Sequence, residues 1–414
     1  MYSLRELYKI GRGPSSSHTM GPYTAATLFA SRHADAARFD VTLYGSLAAT
    51  GKGHMTDVAI LDALEPVAPV KMHWRPKLFL DYHSNGMRFK AFGADDALLE
   101  DWTVYSIGGG ALSEGPGKEM SKSGEVYDMN SLTEIIAWCD ANGRSMWEYV
   151  DLQEGPEIWA YLQDVWDAMK ATVERGLNAE GRLPGPLNLP RKAAVYHVKA
   201  MGYQPSLRSR GLVFAYALAA SEENASGGRI VTAPTCGSCG VLPGVLYHLA
   251  RGHGFSDERI LHALATAGLI GNVVKHNASI SGAEVGCQGE VGVACAMASA
   301  AACQLFGGSP FQIEYAAEMG LEHHLGMTCD PVCGLVQIPC IERNAFAATR
   351  ALDANIYSTF SDGRHRISFD HVVEVMKQTG KDLPSLYKET SAGGLAMQYR
   401  NNNVIPTGLE FQED

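Results

Sequence analysis

Two patterns of hydrophobic and polar positions divide the chain near residue 145. Before that point, short β-branched and aromatic runs cover residues 39–47, 70–75, 77–83 and 101–110, and apolar residues recur at helical spacing in 21–34 and 56–64. Short apolar runs of this kind predict strands, whereas the 3.6-residue periodicity predicts helices. We therefore expect an α+β domain over residues 1–145 with a mostly antiparallel sheet.

After residue 145 the helical spacing takes over. It is clearest in residues 156–177, 212–225, 258–274 and 292–306, and it predicts an all-α domain over residues 146–414. Glycine-rich breaks separate these helices at 181–193, 232–244, 275–292 and 327–345. The breaks carry more Cys, Asn, Ser and Glu than helix capping needs. We expect them to converge on a functional site, because rigid scaffolds present functional groups on loops.

Composition narrows the classes of function. The 414 residues carry a formal net charge of −11, with 46% hydrophobic residues. This acidic balance argues against nucleic acid or an anionic membrane as a partner. The long uncharged stretch 291–313 is rich in Ala and contains a Gly-Gly-Ser-Pro break, which favours a buried helix over a membrane span. The first residues show no secretory signal pattern, so we expect a cytoplasmic protein.

The distribution of the nine cysteines is uneven, with only Cys139 in the first half of the chain. An odd number in an acidic chain argues against a disulfide framework. Cys295 and Cys303 lie in the Ala-rich helix and are typical of core residues. The pair Cys236 and Cys239 is a weak signal for a redox or zinc site, because no second pair stands at metal-binding spacing.

Three other cysteines, Cys287, Cys329 and Cys340, each lie in a turn flanked by Gly or Pro. Turns allow thiolates to converge on a bulky iron–sulfur cluster, which cysteines hold. Three ligands on a four-iron cluster leave one iron open to bind a substrate oxygen as a Lewis acid. Buried thiols without a metal are the alternative interpretation, and spacing alone does not separate the two.

The segment "GRGPSSSHTMGP", residues 11–22, concentrates hydroxyl groups and an imidazole near the start of the chain. One interpretation is a helix start in which Ser17 or Thr19 acts as the N-cap. The other is an anion site, because Ser15, Ser17, His18 and backbone amides at a helix N-terminus suit a carboxylate or phosphate.

Long motifs support a resemblance to a known family. The segments "GPSSSHTMGP", "YGSLAATGKGHMTD", "HSNGMRF", "NASISGAEVGCQGEVGVAC" and "CDPVCGLVQIPCIERNA" closely resemble the iron–sulfur-dependent L-serine dehydratases, of the single-chain type with fused beta and alpha regions. The resemblance implies conversion of L-serine to pyruvate and ammonia. It also implies a 4Fe–4S cluster held by Cys287, Cys329 and Cys340, with substrate bound between the two domains. Many members end in a cysteine, whereas no cysteine follows Cys340 here.

The chemistry of serine dehydration needs a base for the Cα proton and an acid for the leaving hydroxyl. The open iron would act on the hydroxyl, and loop histidines are the candidate bases: His54 first, then His18 and His83. Lys52, Thr56 and Asp57 surround His54 in sequence and are expected to orient its ring. The expected contacts for the substrate carboxylate or amine are Ser15, Ser17, Asn277, Ser279 and Ser281.

Other interpretations remain open at this stage. A PLP enzyme is disfavoured, because no Schiff-base lysine stands with a glycine-rich phosphate loop. An L-cysteine desulfidase would share the cluster region, and a non-catalytic amino-acid sensor could share the scaffold. Glu284, Glu290 and Arg343 could form a buried ion network without a role in catalysis. We expect a homodimer that acts on a small molecule and binds neither nucleic acid nor membrane.

Overall fold

A five-stranded sheet forms the centre of the first part of the chain. The computed structural model describes residues 1–120 and 124–402, so the C-terminal tail, where the sequence lacks the family's cysteine, lies mostly outside the described residues. The described strands are β1 (Ile10–Arg12), β2 (Arg38–Tyr44), β3 (Val70–Arg75), β4 (Gly86–Phe92), β5 (Leu98–Ser106), β6 (Leu112–Ser113) and β7 (Arg229–Val231).

The sheet has the strand order β3-β2-β4-β5-β6. Only β2 and β3 pair in parallel, and the other three pairs are antiparallel, as predicted. Alternate residues of β2 point into the core, where Phe39 lies opposite Ala91 of β4 and Val41 lies opposite Phe89. Phe29 lies over both rings and stacks on Trp102 with centroids 5.9 Å apart. Aromatic packing of this kind contributes most of the burial in a small sheet domain.

Three helices cover this sheet, namely α1 (Gly21–Arg32), α2 (Gly45–Thr50) and α3 (Thr56–Leu64). The predicted helices at 21–34 and 56–64 are confirmed. The strand predicted at 77–83 is wrong, since this segment is a loop in which Leu78 and Phe79 are half exposed. The strand forms instead at β4, because Met87, Phe89 and Ala91 alternate into the core.

The second part of the chain is helical, as predicted. Its helices are α4 (Leu132–Asn142), α5 (Met146–Glu154), α6 (Glu157–Asn178), α7 (Ala193–Met201), α8 (Pro205–Ala225), α9 (Val241–His253), α10 (Asp257–Asn277), α11 (Gly282–Val285), α12 (Val291–Leu305), α13 (Pro310–Glu322), α14 (Cys340–Thr359), α15 (Phe369–Asp382) and α16 (Gly394–Asn402). The Ala-rich α12 is buried and packs against α10, α13 and α14. Its small side chains let the neighbouring helices approach closely.

The two parts are interwoven near the start of the chain. Strand β7 lies within the helical part and pairs antiparallel with β1, so the expectation that strands vanish after residue 145 is wrong at this point. Leu4, Leu7 and Tyr8 are fully buried in the helical core. The fold class is nevertheless confirmed: a mixed α and β region is followed by a mainly helical one. The division at residue 145 stays a prediction.

The uncharged stretch at 291–313 forms α12 and the start of α13. No helix among the described residues is both long and apolar enough to cross a membrane. Cys295 and Cys303 are fully buried in α12, which confirms their prediction as core residues.

Helices α6 and α8 meet at Gly176, which gives a test of the packing. A Cβ at this position would lie 2.2 Å from the carbonyl oxygen of Ala219. We expect Gly176→Ala to lower the free energy of unfolding by about 1–3 kcal/mol, as overpacking does. Gly252→Ala is the matched control, because a Cβ in α9 at this position meets nothing within 4 Å. Gly252→Ala should be neutral or stabilising by up to about 1 kcal/mol. Urea titration of both variants and the wild type measures these free energies of unfolding.

Candidate functional site

The serine-rich opening segment forms a wide helical turn, Ser16–Met20, that leads into α1. The oxygen of Ser15 accepts a hydrogen bond from the backbone N–H of His18 at 3.0 Å, so Ser15 is the N-cap. The expected caps, Ser17 and Thr19, are therefore wrong. The oxygen of Ser17 instead lies 2.9 Å from Nδ1 of His18. The turn is a helix start that also fixes a histidine.

Two of the predicted histidines, His18 and His54, lie side by side. Their ring centroids are 4.6 Å apart, and both side chains are buried. The hydroxyl of Thr19 donates to the carbonyl of His54 at 2.7 Å, and that of Thr56 donates to the carbonyl of His18 at 2.5 Å. Each histidine is thus held by a threonine from the other's segment, which fixes the spacing of the pair.

The ring of His54 is oriented by a residue that the sequence analysis did not select. Its Nδ1 lies 3.1 Å from the hydroxyl of Thr50, four residues earlier and therefore one helical turn away. Asp57, an expected partner, accepts from the backbone N–H of Val58 instead. The helical spacing of Thr50 and His54 is the signal that could have identified this contact.

The two imidazoles differ in how many of their ring nitrogens have a hydrogen-bond partner. For His18, Nδ1 lies near Ser17 and 3.5 Å from Oε1 of Glu389, and Nε2 lies 3.3 Å from the hydroxyl of Ser46. For His54, no hydrogen bond to Nε2 is found within the part of the chain that the structure describes. Burial lowers the pKa of His18 to about 3 and lowers that of His54 well below 6.5. Both rings are therefore neutral near pH 7, and Nε2 of His54 is available to accept a proton.

Glu389 is a buried residue of this site that the sequence analysis missed. It is 5% exposed, and its backbone is in the left-handed region at φ 58°. Its N–H donates to the carbonyl of Cys329, whose own N–H donates to the carbonyl of Tyr387, both at 2.8 Å. The hydroxyl of Ser46 donates to the carbonyl of Glu389. Burial raises the pKa of the Glu389 carboxyl well above 4.5, and the nearby Glu290 adds to this shift.

The three cysteines of the sequence prediction are all buried. Cys287 lies in a single helical turn, Cys329 in the loop after α13, and Cys340 at the first residue of α14. The Sγ atoms of Cys287 and Cys329 lie 3.9 and 4.0 Å from the same carboxylate oxygen, Oε2 of Glu290. Burial raises the pKa of Cys340 well above 9, and the charge of Cys287 raises it further.

The surroundings of the thiols suit a buried anionic group. Arg343 donates to the carbonyl of Thr328, the residue before Cys329, which places a cation near the thiols. Burial alone would lower the pKa of Arg343, but the charges of Cys287 and Cys340 raise it. A Cβ at Gly282 would lie 2.7 Å from Oε2 of Glu290 and 3.2 Å from Sγ of Cys329. A side chain at this position would displace the Glu290 carboxylate and press on the Cys329 thiol. A donor set of three sulfurs with a neighbouring arginine fits an iron–sulfur cluster.

The suggested ion network of Glu284, Glu290 and Arg343 is not formed. Burial raises the pKa of Glu290 to about 7, and its carboxylate accepts a 2.8 Å hydrogen bond from Thr235. Arg343 donates to the carbonyl of Thr328. No ion pair joins the three within the described residues. Glu284 instead belongs to a second cluster of polar residues, around His83.

The third predicted histidine, His83, lies in that second cluster, with Glu284 and Ser279. Its Nε2 is 3.4 Å from Oε1 of Glu284, whose other oxygen accepts from the hydroxyl of Ser279. These residues line a cavity of about 260 Å³ together with Lys275. Burial lowers the pKa of Lys275 to about 8. The cavity thus offers a hydroxyl, a carboxylate and an amine to a small polar molecule.

The predicted substrate contacts fall into separate places. Ser15 and Ser17 lie with His18, whereas Ser279 lies with His83. Ser281 is buried with no hydrogen bond to its Oγ within the described residues, and its neighbour Gly282 lies against Cys329. Asn277 is not brought to the site, since its amide donates to the carbonyl of Asn130 at 2.6 Å and to that of Val273 at 3.0 Å.

The remaining pair, Cys236 and Cys239, packs in a small apolar cluster with Ile230. The Sγ of Cys236 lies 3.4 Å from the sulfur of Met20, which precedes α1. Burial raises the pKa of both thiols far above 9. Protonated thiols in such surroundings are inert, and they pack the opening segment against the helical part.

Comparison with known proteins places this chain in a family. A model of the serine dehydratase alpha chain matches residues 103–396, and a model of the beta chain matches residues 3–75 and 67–115. The L-serine dehydratase TdcG of Escherichia coli strain K12 is 42% identical, covering 96% of this chain and 99% of the relative. The L-serine dehydratase of Haemophilus influenzae is 40% identical over the same shares, and that of Helicobacter pylori is 37% identical over 95% of this chain and 98% of the relative. The chain belongs to the serine dehydratase family, with the beta-chain and alpha-chain regions joined in one polypeptide.

Proposed function

We propose that this protein is an L-serine dehydratase, a lyase that converts L-serine to pyruvate and ammonia. One observation carries the proposal beyond family membership. The neutral histidine pair of the first part of the chain and the buried thiols of the second part meet at Glu389, which contacts His18 and pairs with the backbone of Cys329. A candidate proton acceptor and a set of buried sulfurs therefore lie on opposite sides of one junction.

Cys287, Cys329 and Cys340 are the residues that would hold a 4Fe–4S cluster in this proposal. The cluster would supply a Lewis-acidic iron for the hydroxyl that leaves. Supporting observations are the burial of all three thiols, the approach of two of them to one oxygen of Glu290, and the arginine near them. No PLP is needed, because the cluster and the histidines divide the two tasks.

His54 is our choice for the base that takes the Cα proton of serine. Its Nδ1 faces Thr50 and its Nε2 is available, whereas both nitrogens of His18 are engaged. The proton would pass to Nε2 while the Cβ–O bond breaks and the hydroxide leaves. The aminoacrylate that remains tautomerises to an imine, and one water molecule hydrolyses the imine to pyruvate and ammonia.

The other predicted residues have supporting roles in this proposal. His18 would position the pair, because Ser17 and Ser46 hold its ring at both nitrogens. Ser15 would keep the turn closed around the substrate carboxylate. Ser279 and Ser281, together with His83, would hold other groups of the substrate.

The two alternative functions receive less support. The match to the serine dehydratase beta chain covers the first part of the chain and argues against an L-cysteine desulfidase. The retained thiols argue against an amino-acid sensor without catalytic activity. A cytoplasmic location and a homodimer stay predictions.

The direct test of the function is an anaerobic assay. We expect the purified protein to form equal amounts of pyruvate and ammonia from L-serine. L-threonine and L-cysteine are the comparison substrates. Turnover of L-cysteine to sulfide in preference to L-serine would overturn the assignment in favour of the desulfidase.

Substitution of a thiol tests the proposed ligands. Cys329→Ala should lose the visible absorbance, the bound iron and sulfide, and the formation of pyruvate. Cys295→Ala is the matched control, because that thiol is buried in the core of α12, where it lies 3.4 Å from the carbonyl oxygen of Ala347. It should keep its iron and lose about 1–2 kcal/mol of stability, as is common for a small change in the core. Equal iron loss in both variants would show that the ligands are wrongly chosen.

Substitution of the base tests the histidine assignment. His54→Gln should lower kcat by about 10²–10⁴ with unchanged iron content, because general-base catalysis contributes that much. Thr50→Val should lower kcat by a smaller factor and change its pH profile, since it frees the ring of His54. Thr27→Val is the control. The hydroxyl of Thr27 donates to the carbonyl of Tyr23 on the exposed face of α1, just as that of Thr50 donates to the carbonyl of Ser46. Normal kcat in His54→Gln would contradict the assignment.

A further inference from the structure

A separate cavity of about 470 Å³ opens between α13, α14 and the loop before α15. None of its lining residues belongs to the site described above. Its walls include Tyr315 and Glu318 of α13, Arg350 and Tyr357 of α14, and Arg366 of the loop. Small-molecule sites in proteins have volumes of about 300–1,000 Å³ and a few charged groups, so this cavity has the dimensions of a binding site.

Glu318 is the unusual residue of this cavity. Glu318 is 4% exposed. Yet no described residue donates a hydrogen bond to its carboxylate or forms an ion pair with it. Glu314, one turn earlier on α13, shows the usual arrangement, because it accepts from the N–H of Phe369 at 2.6 Å and lies 3.0 Å from Nε2 of His365. A buried carboxylate without a partner is costly, so an occupant of the cavity is the natural source of one.

The charges around Glu318 favour a cationic group as that partner. Burial, together with the charges of Glu322 and Glu314, raises the pKa of Glu318 to about 8. The other titratable and charged groups that line the cavity are His323, Arg350, Asp353, Tyr315, Tyr357, His365 and Arg366. A ligand cation would lower the pKa of Glu318 and bring it into its charged form.

The chemistry of the walls separates an organic cation from a metal ion. Among the described residues, the groups of three or more ligand atoms that converge closely enough for a metal lie elsewhere, at His18 and at Cys287. The walls are instead aromatic: the rings of Tyr315 and His365 stack with centroids 4.2 Å apart, and Tyr357 meets Tyr315 edge to face at 6.1 Å. Aromatic faces beside a carboxylate suit an ammonium group.

Arg350 and Arg366 add a second recognition element. Both line the same cavity, and neither forms a hydrogen bond or an ion pair with a described residue. Guanidinium groups recognise carboxylates through paired N–H donors. We propose that this cavity binds a small molecule through its primary ammonium group at Glu318, and that the ligand is a free amino acid whose carboxylate meets the arginines.

The proposal is tested by calorimetric binding to the anaerobic holoenzyme with two matched probes, L-alanine and ethylamine. They share the ammonium group, and ethylamine lacks the carboxylate. Wild-type protein should bind L-alanine more tightly than ethylamine. Glu318→Gln should lose at least tenfold in affinity for both probes, and Arg350→Gln combined with Arg366→Gln should lose affinity for L-alanine alone. Any binding of L-alanine at the catalytic site would persist in Glu318→Gln and so would be distinguished.

Glu374→Gln is the matched control, because it removes the same charge from an exposed position of α15. It should bind both probes like the wild type. Thermal unfolding of Glu318→Gln should show an unchanged or higher Tm, because the amide is nearly isosteric and removes a buried acid. This measurement excludes misfolding as the cause of lost binding.

The pH dependence gives a readout that a structural role for Glu318 would not produce. Below pH 8 the carboxyl is protonated, so binding should release a proton, and the affinity should rise as the pH increases from 7 to 8. Glu318→Gln should abolish this proton release. Absence of saturable binding of either probe, or equal binding by Glu318→Gln, would overturn the proposal. Binding of ethylamine but not L-alanine would overturn the amino-acid assignment.

Discussion

The backbone pairing between Cys329 and the segment ending at Glu389 is the constraint on which the site depends. Two hydrogen bonds of 2.8 Å join these segments, 60 residues apart in sequence. The pairing brings a carboxyl from near the end of the chain into contact with His18 from near its start. Ser46 then donates to the carbonyl of Glu389, so this residue contacts both the sheet-bearing part and the thiol-bearing part of the chain.

Close helix packing provides the rigid support for this junction. Helix α12 is built from small residues and is buried on all sides, which allows α10, α13 and α14 to approach it. Cys287 lies in the turn directly before α12, and Cys340 is the first residue of α14. Gly282 leaves the space that the thiols and Glu290 require. Packing density in the helical part thus decides how precisely the sulfurs can be placed.

Burial keeps the titratable groups of the site close to neutral. It lowers the pKa values of His18 and His54 and raises those of Glu290 and Glu389. In a medium of low dielectric, charge that enters with a substrate or a cofactor interacts strongly with such groups. A neutral imidazole is the form that can accept a proton, which is the property the proposed mechanism needs from His54.

The sequence by itself determined the fold class, the positions of most helices and the identity of the chemically able residues. Helical periodicity is local, so it predicted α1, α3 and the long helices, and turn residues around Cys287, Cys329 and Cys340 marked those thiols. Local alternation failed at residues 77–83, because only pairing with β2 and burial against Phe29 decide that β4 is the strand. Only the tertiary structure placed Asn277 away from the site, selected Thr50 as the partner of the His54 ring and brought in Glu389. Those contacts depend on segments distant in sequence, and the burial that shifts their pKa values exists only once the chain has folded.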